Sequence, residues 1–213
     1  ILTDIYVDSI SSWLNIDFRN EYARPNISDD VNLYVDGKLL TEVVIPSAIT
    51  SISAEAFRGC SSLTHVTIHE DVTTIGIDAF RHCSGLKVVE IPENSKLESI
   101  EYGAFDGCSS LNTICIPKSV TSIGQSAFED CSSLPSIEIP EGVVSIGNRT
   151  FYYCSSLTSI TIPQSVTSIG VYAFAGCSSL ISISIPEGVT TVGEDTFANC
   201  QNLRTVSIPE SVV

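Results

Sequence analysis

Phenylalanine recurs through this chain at Phe57, Phe80, Phe105, Phe128, Phe151, Phe174 and Phe197, in steps of 23, 25, 23, 23, 23 and 23 residues. Cysteine keeps the same beat three residues later, from Cys60 and Cys83 through to Cys200. Leucine follows three residues after that, from Leu63 to Leu203. A fixed period of this length marks a repeat architecture, in which each unit buries its apolar face only against its neighbours. A stack of near-identical turns has no obvious cleft, so function has to be sought where the repetition is broken.

Read cyclically, one turn is C-x-x-L-x-x-I-x-I-P-x-x-V-x-x-I-G-x-x-A-F-x-x. The turn from Cys154 shows it in full, with Leu157, Ile160, Ile162, Pro163, Val166, Ile169, Gly170, Ala173 and Phe174. The I-x-I alternation predicts a strand with one side chain in and the next out. The proline ends it, because it has no N–H for a ladder. V-x-x-I-G predicts a second short extended piece. Its glycine (Gly76, Gly124, Gly147, Gly170, Gly193) is expected at a positive-φ corner. G-x-x-A-F-x-x-C is expected to be a single helical or 3₁₀ turn. About seven apolar side chains per turn point inward, at roughly 1.5–3 kcal/mol for each large one buried. Two extra residues fall between Pro92 and Ile100, predicting a bulged corner with Leu97 in the usual valine place.

Residues 1–38 do not follow the period. They hold the only tryptophan, Trp13, and Phe18. Asp36-Gly37 between Val31–Val35 and Leu39–Ile45 is a two-residue hairpin signal. Ser9 to Ile16 fits a short helix capped by Asp8 or Ser9. The segment is expected to shield the apolar edge of the first turn, with the repeat running over 39–213. The tail of a separate upstream unit is the alternative. At the other end Ile208-Pro209-Glu210-Ser211-Val212-Val213 stops in mid-repeat, and the chain opens on Ile1 with no signal pattern. Both features predict a segment of a longer natural chain.

The turn pattern resembles the BspA-like (Treponema-type) leucine-rich repeat family. The run from Ile162 to Leu180, with Pro163, Val166, Ile169, Gly170, Ala173, Phe174 and Cys177, carries the resemblance. It recurs seven times over about residues 40–213. The general pattern L-x-x-L-x-L-x-x-N is met only in part, since its asparagine place holds Asp71, Ser119 or Gly142. The resemblance implies a β-rich α/β solenoid, a right-handed superhelix of 23-residue turns with an N-terminal cap. It also implies a bacterial or protist protein, at the cell surface or secreted, that adheres to protein partners on a host or another cell.

The charge balance excludes some partners. Ten Lys and Arg face 25 Asp and Glu, a net charge of −15. That field repels phosphate backbones, so nucleic acid is not an expected partner. No run approaches the ~18 apolar residues of a membrane span, so no membrane insertion is expected in this segment. No nucleophile elbow or phosphate loop is present, and an enzyme is not expected. His65 and His69 would stand ~13 Å apart on a strand, too far for one metal. The cysteine ladder reads as buried free thiols serving as small hydrophobes, with no C-x-x-C pair for a metal. Cys115 is the exception, at an outward strand position. No cofactor is expected, and the chain is expected to be a monomer.

Two surfaces stand out. The outward strand positions, among them His65, Glu90, Thr113, Glu138, Ser159, Thr161 and Ser182, form a flat face of mostly small hydroxyls. A protein partner fits such a face on a solenoid. The second is Arg149 with Tyr152, Tyr153 and Tyr172, where other turns carry Ser126, Glu129 and Asp130. Exposed Tyr beside Arg has the composition of a binding hot spot. Tyr rings also suit sugar stacking, which makes a glycan the alternative ligand. A third reading is a structural stalk that displays other domains.

Overall fold

The computed structural model describes residues 2–16 and 27–213. Phe18 lies outside them. The N-terminal part holds β1 (Leu2–Val7), the helix α1 (Ile10–Leu14), β2 (Ile27–Val35) and β3 (Lys38–Leu39). Ser9 caps α1 by accepting the Ser12 N–H. β2 and β3 form the expected hairpin, with Asp36 at φ +50° and Gly37 at φ +71° in its turn. These angles suit a type I′ turn, which needs positive φ at both central residues.

From residue 42 each turn contributes two strands. The I-x-I strands are β4 (Glu42–Val44), β6 (His65–Thr67), β8 (Val88–Glu90), β10 (Thr113–Ile114), β12 (Ser136–Glu138), β14 (Ser159–Thr161), β16 (Ser182–Ser184) and β18 (Thr205–Ser207). Between them lie the V-x-x-I strands: β5 (Ser51–Ile52), β7 (Thr74–Ile75), β9 (Ser99–Ile100), β11 (Ser122–Ile123), β13 (Ser145–Ile146), β15 (Ser168–Ile169) and β17 (Thr191–Val192). Every pair within these two sets is parallel and in register, as in His65↔Val88 and Ser136↔Ser159. The inward residue is buried in β4 to β16 and half-buried in β17 and β18, and its neighbours face out. The result is a β-solenoid. The I-x-I ladder breaks between β10 and β12 and again between β14 and β16, and the V-x-x-I ladder between β11 and β13. Pro135 stands at the position from which Asn112 donates to Lys87 O and Thr158 donates to Pro135 O. Having no N–H, Pro135 leaves the Asn112 carbonyl without that bond.

The third side of each turn departs from expectation. It is not a helical turn, and α1 is the only helix among the described residues, so the α/β designation does not hold for the repeats. The chain there alternates two kinds of hydrogen bond. Phe57 N–H bonds the Ala79 carbonyl of the next turn at 2.7 Å, and Glu55 and Gly59 do likewise. The N–H groups between them close local turns, such as Arg58 to Glu55 O at 3.2 Å. Two residues per turn take positive φ to allow this, for example Ser126 and Asp130, both at +55°. A helix would spend all these donors inside one turn. The ribbon spends half of them between turns and so bonds the stack together.

The repeat glycines are a second correction. None of Gly76, Gly124, Gly147, Gly170 or Gly193 has positive φ. They are needed for close approach: a Cβ on Gly76 would lie 2.7 Å from Ala54 N, and one on Gly124 would lie 2.5 Å from Tyr102 N. At those separations backbone would have to move.

The phenylalanines stack in one column, with centroids 5.2–5.9 Å apart and rings within 11° of parallel. Cysteine is more than a small hydrophobe. Cys83, Cys108, Cys131, Cys154, Cys177 and Cys200 each donate Sγ–H to the carbonyl of the phenylalanine in the preceding turn, at 2.9–3.2 Å. Serine after cysteine has a similar task, Ser155 Oγ donating to Ser132 O at 3.3 Å. The two-residue insertion behaves as expected. Leu97 is fully buried, and Ser95 Oγ accepts its N–H at 3.1 Å.

The first turn has no phenylalanine before it to bond Ala56 O. Trp13 supplies the donor, its indole N–H reaching that carbonyl at 2.6 Å. In later turns the equivalent carbonyls of Ala79, Ala104 and Ala127 receive the Phe57, Phe80 and Phe105 N–H groups. Trp13, Leu14, Val31 and Leu33 are buried against the first turn.

The donor role of cysteine makes a testable ordering. Cys131→Val keeps an apolar side chain but removes the thiol bond to Phe105 O, which still accepts the Cys108 N–H at 3.1 Å, and is expected to cost about 0.5–1.5 kcal/mol in urea unfolding. Cys131→Ser keeps the donor and is expected to cost less. The reverse order would show that the thiol acts by packing alone.

Candidate functional site

The outward residues of the I-x-I strands lie side by side because the pairing is parallel and in register. Ser136 faces Ser159, Glu138 faces Thr161, Ser182 faces Thr205 and Ser184 faces Ser207. Thr113, Glu138, Ser159, Thr161 and Ser182 are exposed, as predicted. His65 is half-buried, its Nε2 lying 3.3 Å from Glu90 Oε2, which also accepts from Thr67 Oγ1. This part of the face is therefore tied within itself. Farther along, the hydroxyls of Ser159, Thr161, Ser182 and Ser184 have no intramolecular partner among the described residues. A shallow groove of about 480 Å³ runs over β12 and β14, lined by Ser136, Glu138, Ser159, Thr161, Lys118 and Pro163.

His69 has a structural task. Asp71 N–H donates to its Nδ1, which leaves Nε2 as the donor toward the Pro46 and Ile49 carbonyls at 3.1 and 3.0 Å. Cys115 is exposed, and the other cysteines are free and buried or half-buried. Burial pushes the Cys83, Cys108, Cys131 and Cys154 thiols well above the ordinary range. Among the described residues no group of three His, Cys, Asp or Glu is placed to hold a metal ion.

Arg149, Tyr152, Tyr153 and Tyr172 come together on the outer side of the turn ribbon. Tyr152 meets Tyr153 edge-on at 4.4 Å and Tyr172 at 6.0 Å. The Arg149 guanidinium lies over both Tyr152 and Tyr172, at 5.3 and 5.7 Å from the ring centres. Tyr153 is exposed, while Tyr152 and Tyr172 are half-buried by these contacts. Arg149, Tyr153 and Tyr172 all take positive φ, between +55° and +57°. Gly103, Gly107, Asp130, Asp195 and Asn199 fill the same places in other turns, and such residues tolerate this conformation better. The Tyr153 ring lies so close to Gly176 that a Cβ there would sit 2.6 Å from it.

A charge network on the same edge escaped the sequence reading. Arg81 Nε stands 3.0 Å from Asp106 Oδ2, and Arg81 Nη1 stands 3.5 Å from Asp78 Oδ2. Arg58 lies 3.4 Å from Glu55 and 3.9 Å from Asp78. The signal was present in one repeat column, which reads Arg58, Arg81, Asp106, Glu129, Tyr152, Ala175 and Ala198 down the stack. Burial raises the Asp106 carboxyl to about 6, against the opposing pull of Arg81 and with help from Glu129, Asp130 and Asp78. Arg81 in turn is raised: burial lowers it, but Asp106 and Asp78 more than offset that.

In-register parallel strands on a 23-residue repeat of Leu, Ile and Phe define a leucine-rich repeat solenoid. The pattern of the BspA type leucine rich repeat region matches in six copies over residues 32–132 and 98–213, and the chain belongs to that family. A leucine-rich repeat protein from Bacteroides ovatus is 34% identical with a TM-score of 0.75, over 80% of this chain and 46% of its own. A leucine rich cell surface protein from Faecalibacterium prausnitzii is 39% identical with a TM-score of 0.74, over 80% and 48%. The leucine rich repeat protein of T. pallidum is 34% identical with a TM-score of 0.72, over 78% of each chain. The chain thus spans about half the length of the first two. No curated protein matches it. Among the described residues no helix is long and apolar enough to cross a membrane.

Two measurements follow. The folded Asp106 carboxyl holds its proton more tightly than an unfolded one, so its stabilising contribution is present near pH 4 and is lost as pH rises through about 6. The melting temperature of the parent is expected to drop relative to that of Asp106→Asn over that window, and equal pH profiles would refute the shift. A thiol reagent on the native protein is expected to modify Cys115 rapidly and the buried cysteines only on unfolding.

Proposed function

We propose that this chain is a non-enzymatic interaction module of a cell-surface or secreted protein, and that it holds protein partners on its strand face in an adhesion role. The observation that carries the reading is the row of exposed hydroxyls from Ser159 to Ser184 with no partner of their own. Elsewhere in the repeat, hydroxyls are spent on the preceding turn, as Thr64 Oγ1 is on Thr41 O at 2.9 Å. Those on the strand face remain available as both donors and acceptors. The flat, parallel surface presents them at regular spacing without a cleft for catalysis. Family membership and the cell-surface description of the F. prausnitzii relative support the surface location.

Residues 1–38 serve in this reading as a cap and 39–213 as the binding solenoid, in a monomer. Trp13 supports the cap, since its indole satisfies the carbonyl that a preceding turn would otherwise bond. Caps with a different outer face are what solenoid ends require.

The test is an array of purified extracellular and host-matrix proteins probed with the full chain. A partner is expected whose affinity falls about tenfold or more in Ser159→Arg and Ser182→Arg, a loss of about 1.4 kcal/mol. The control Thr190→Arg, exposed on another side of the turn, is expected to leave it unchanged. Binding that is indifferent to both strand-face substitutions would remove the strand face from the proposal.

A further inference from the structure

The outer edge of the turn ribbon changes character along the stack. At its first turns cation and carboxylate alternate and close on each other, through Arg58 with Glu55 and Arg81 with Asp78 and Asp106. From the fourth turn onward the balance is lost. Arg149 Nη1 lies 3.8 Å from Glu129, with its side chain half exposed, and among the described residues no Lys or Arg forms an ion pair with Asp130, Glu194 or Asp195. Three tyrosines stand inside this frame of carboxylates.

Arg149 shows what the frame accepts. Its planar cation lies over two phenol rings and turns toward a carboxylate. Such cation–π contacts contribute about 0.5–1 kcal/mol at exposed sites and more when water is excluded. Tyr153 repeats half of that arrangement without its cation. It is 41% exposed, sits edge-on to Tyr152 and has Asp130 in the equivalent place one turn earlier, but no guanidinium or ammonium lies over it among the described residues. The tyrosines are not core residues, and Tyr153 and Tyr172 occupy a backbone conformation that disfavours bulky residues.

We propose that the edge formed by Tyr152, Tyr153 and Tyr172 with Glu129, Asp130 and Asp195 docks a basic segment of a partner protein. One Arg or Lys side chain lies against Tyr153 toward Asp130, and a flanking cation reaches Asp195. The proposal rests on the interaction-module reading but places this contact on the ribbon edge, away from the strand face. The net charge of −15 steers such a segment inward. A neutral glycan is less well served, because Arg149 already lies over Tyr152 and Tyr172 and the Tyr153 ring has Gly176 against it.

The experiment titrates the full chain into fluorescein-labelled octapeptides of alternating Arg-Gly, Ser-Gly and Glu-Gly, read by anisotropy. The Arg-Gly peptide is expected to bind at least about tenfold tighter than Ser-Gly, with Glu-Gly weakest, and to weaken several-fold between about 50 and about 300 mM salt. Variants are taken from the protein's own columns so that folding is kept: Tyr152→Ala as at Ala175, and Tyr153→Asn as at Asn199. Each is expected to weaken the peptide about tenfold in a protein that stays folded, with a melting temperature lowered by about 2–4 °C at most. The pair Glu129→Gln with Asp130→Asn is expected to remove most of the salt dependence. Ser159→Arg and Ser182→Arg are expected to leave the peptide affinity within about twofold, which separates this edge from the strand face. Equal binding of Arg-Gly and Ser-Gly overturns the proposal, and so does full affinity in Tyr153→Asn. A neutral oligosaccharide that binds, and is lost in Tyr153→Asn while the Arg-Gly peptide is inert, overturns it in favour of a sugar site.

Discussion

Every turn of this protein is joined to the next by one repeated contact, a phenyl ring lying flat on a phenyl ring with a thiol donating to the carbonyl beneath it. The stack buries a continuous apolar column, while the Cys S–H of the next turn gives each Phe carbonyl a second donor beside the local Cys N–H. The column of rings fixes the spacing, and each thiol adds a bond between turns worth about 0.5–1.5 kcal/mol. The strands and the ribbon then follow, since once Phe sits over Phe the Ile, Leu and Val columns are brought into register by the same 23-residue step. The two-residue insertion at Glu93–Ser99 shows how strong this constraint is. The chain bulges outward there, and Leu97 still lands in the valine column.

Because the core columns admit so little variation, information is carried by the columns that face out. These differ in freedom. On the strand face any small polar residue is compatible with the pleat, so Ser, Thr, Glu and His succeed one another. On the ribbon edge two positions per turn need positive φ and are filled mostly by Gly, Asp, Asn and Ser. A tyrosine or arginine there is a departure that the fold does not ask for, whereas a serine on the strand face is not. Arg149, Tyr153 and Tyr172 are informative for that reason. His82 makes the same departure at φ +58° and pairs, like Tyr153, with a glycine one turn on, Gly107.

Much of the fold was legible because its signals are local or periodic. The period, the two strands per turn, the Asp36-Gly37 hairpin, the Ser9 cap and the place of Leu97 all rest on spacing or on turn chemistry. What the sequence concealed depends on hydrogen bonds between residues some 20 to 45 positions apart. A-F-x-x-C has helical spacing, and nothing in one turn reveals that the ribbon's donors point to the next. The need for the repeat glycine is hidden for the same reason: the backbone it must clear belongs to the preceding turn. Trp13 could be read as a shield, but not as the donor to Ala56 O. The candidate residues were found by comparing equivalent positions, which placed Arg149 with the tyrosines. The Arg58, Arg81 and Asp106 network would have emerged from the same comparison applied to charge.

That network and the tyrosine edge are two solutions to one electrostatic problem. A parallel stack places equivalent residues about one strand spacing apart, so a repeated carboxylate repels its own copies. The first turns resolve this by setting arginines beside carboxylates of the neighbouring column and turn, at the expense of surface that is now internally paired. The later turns hold one such pair, Arg149 with Glu129, and set aromatic rings among the other carboxylates. Since each turn contacts only its neighbours, these choices are energetically separate from the distant turns of the stack. A solenoid can therefore hold its shape with one stretch of edge neutralised and keep another stretch open for a cation from elsewhere, and the change from Arg to Asp to Glu to Tyr in a single column marks the boundary between the two.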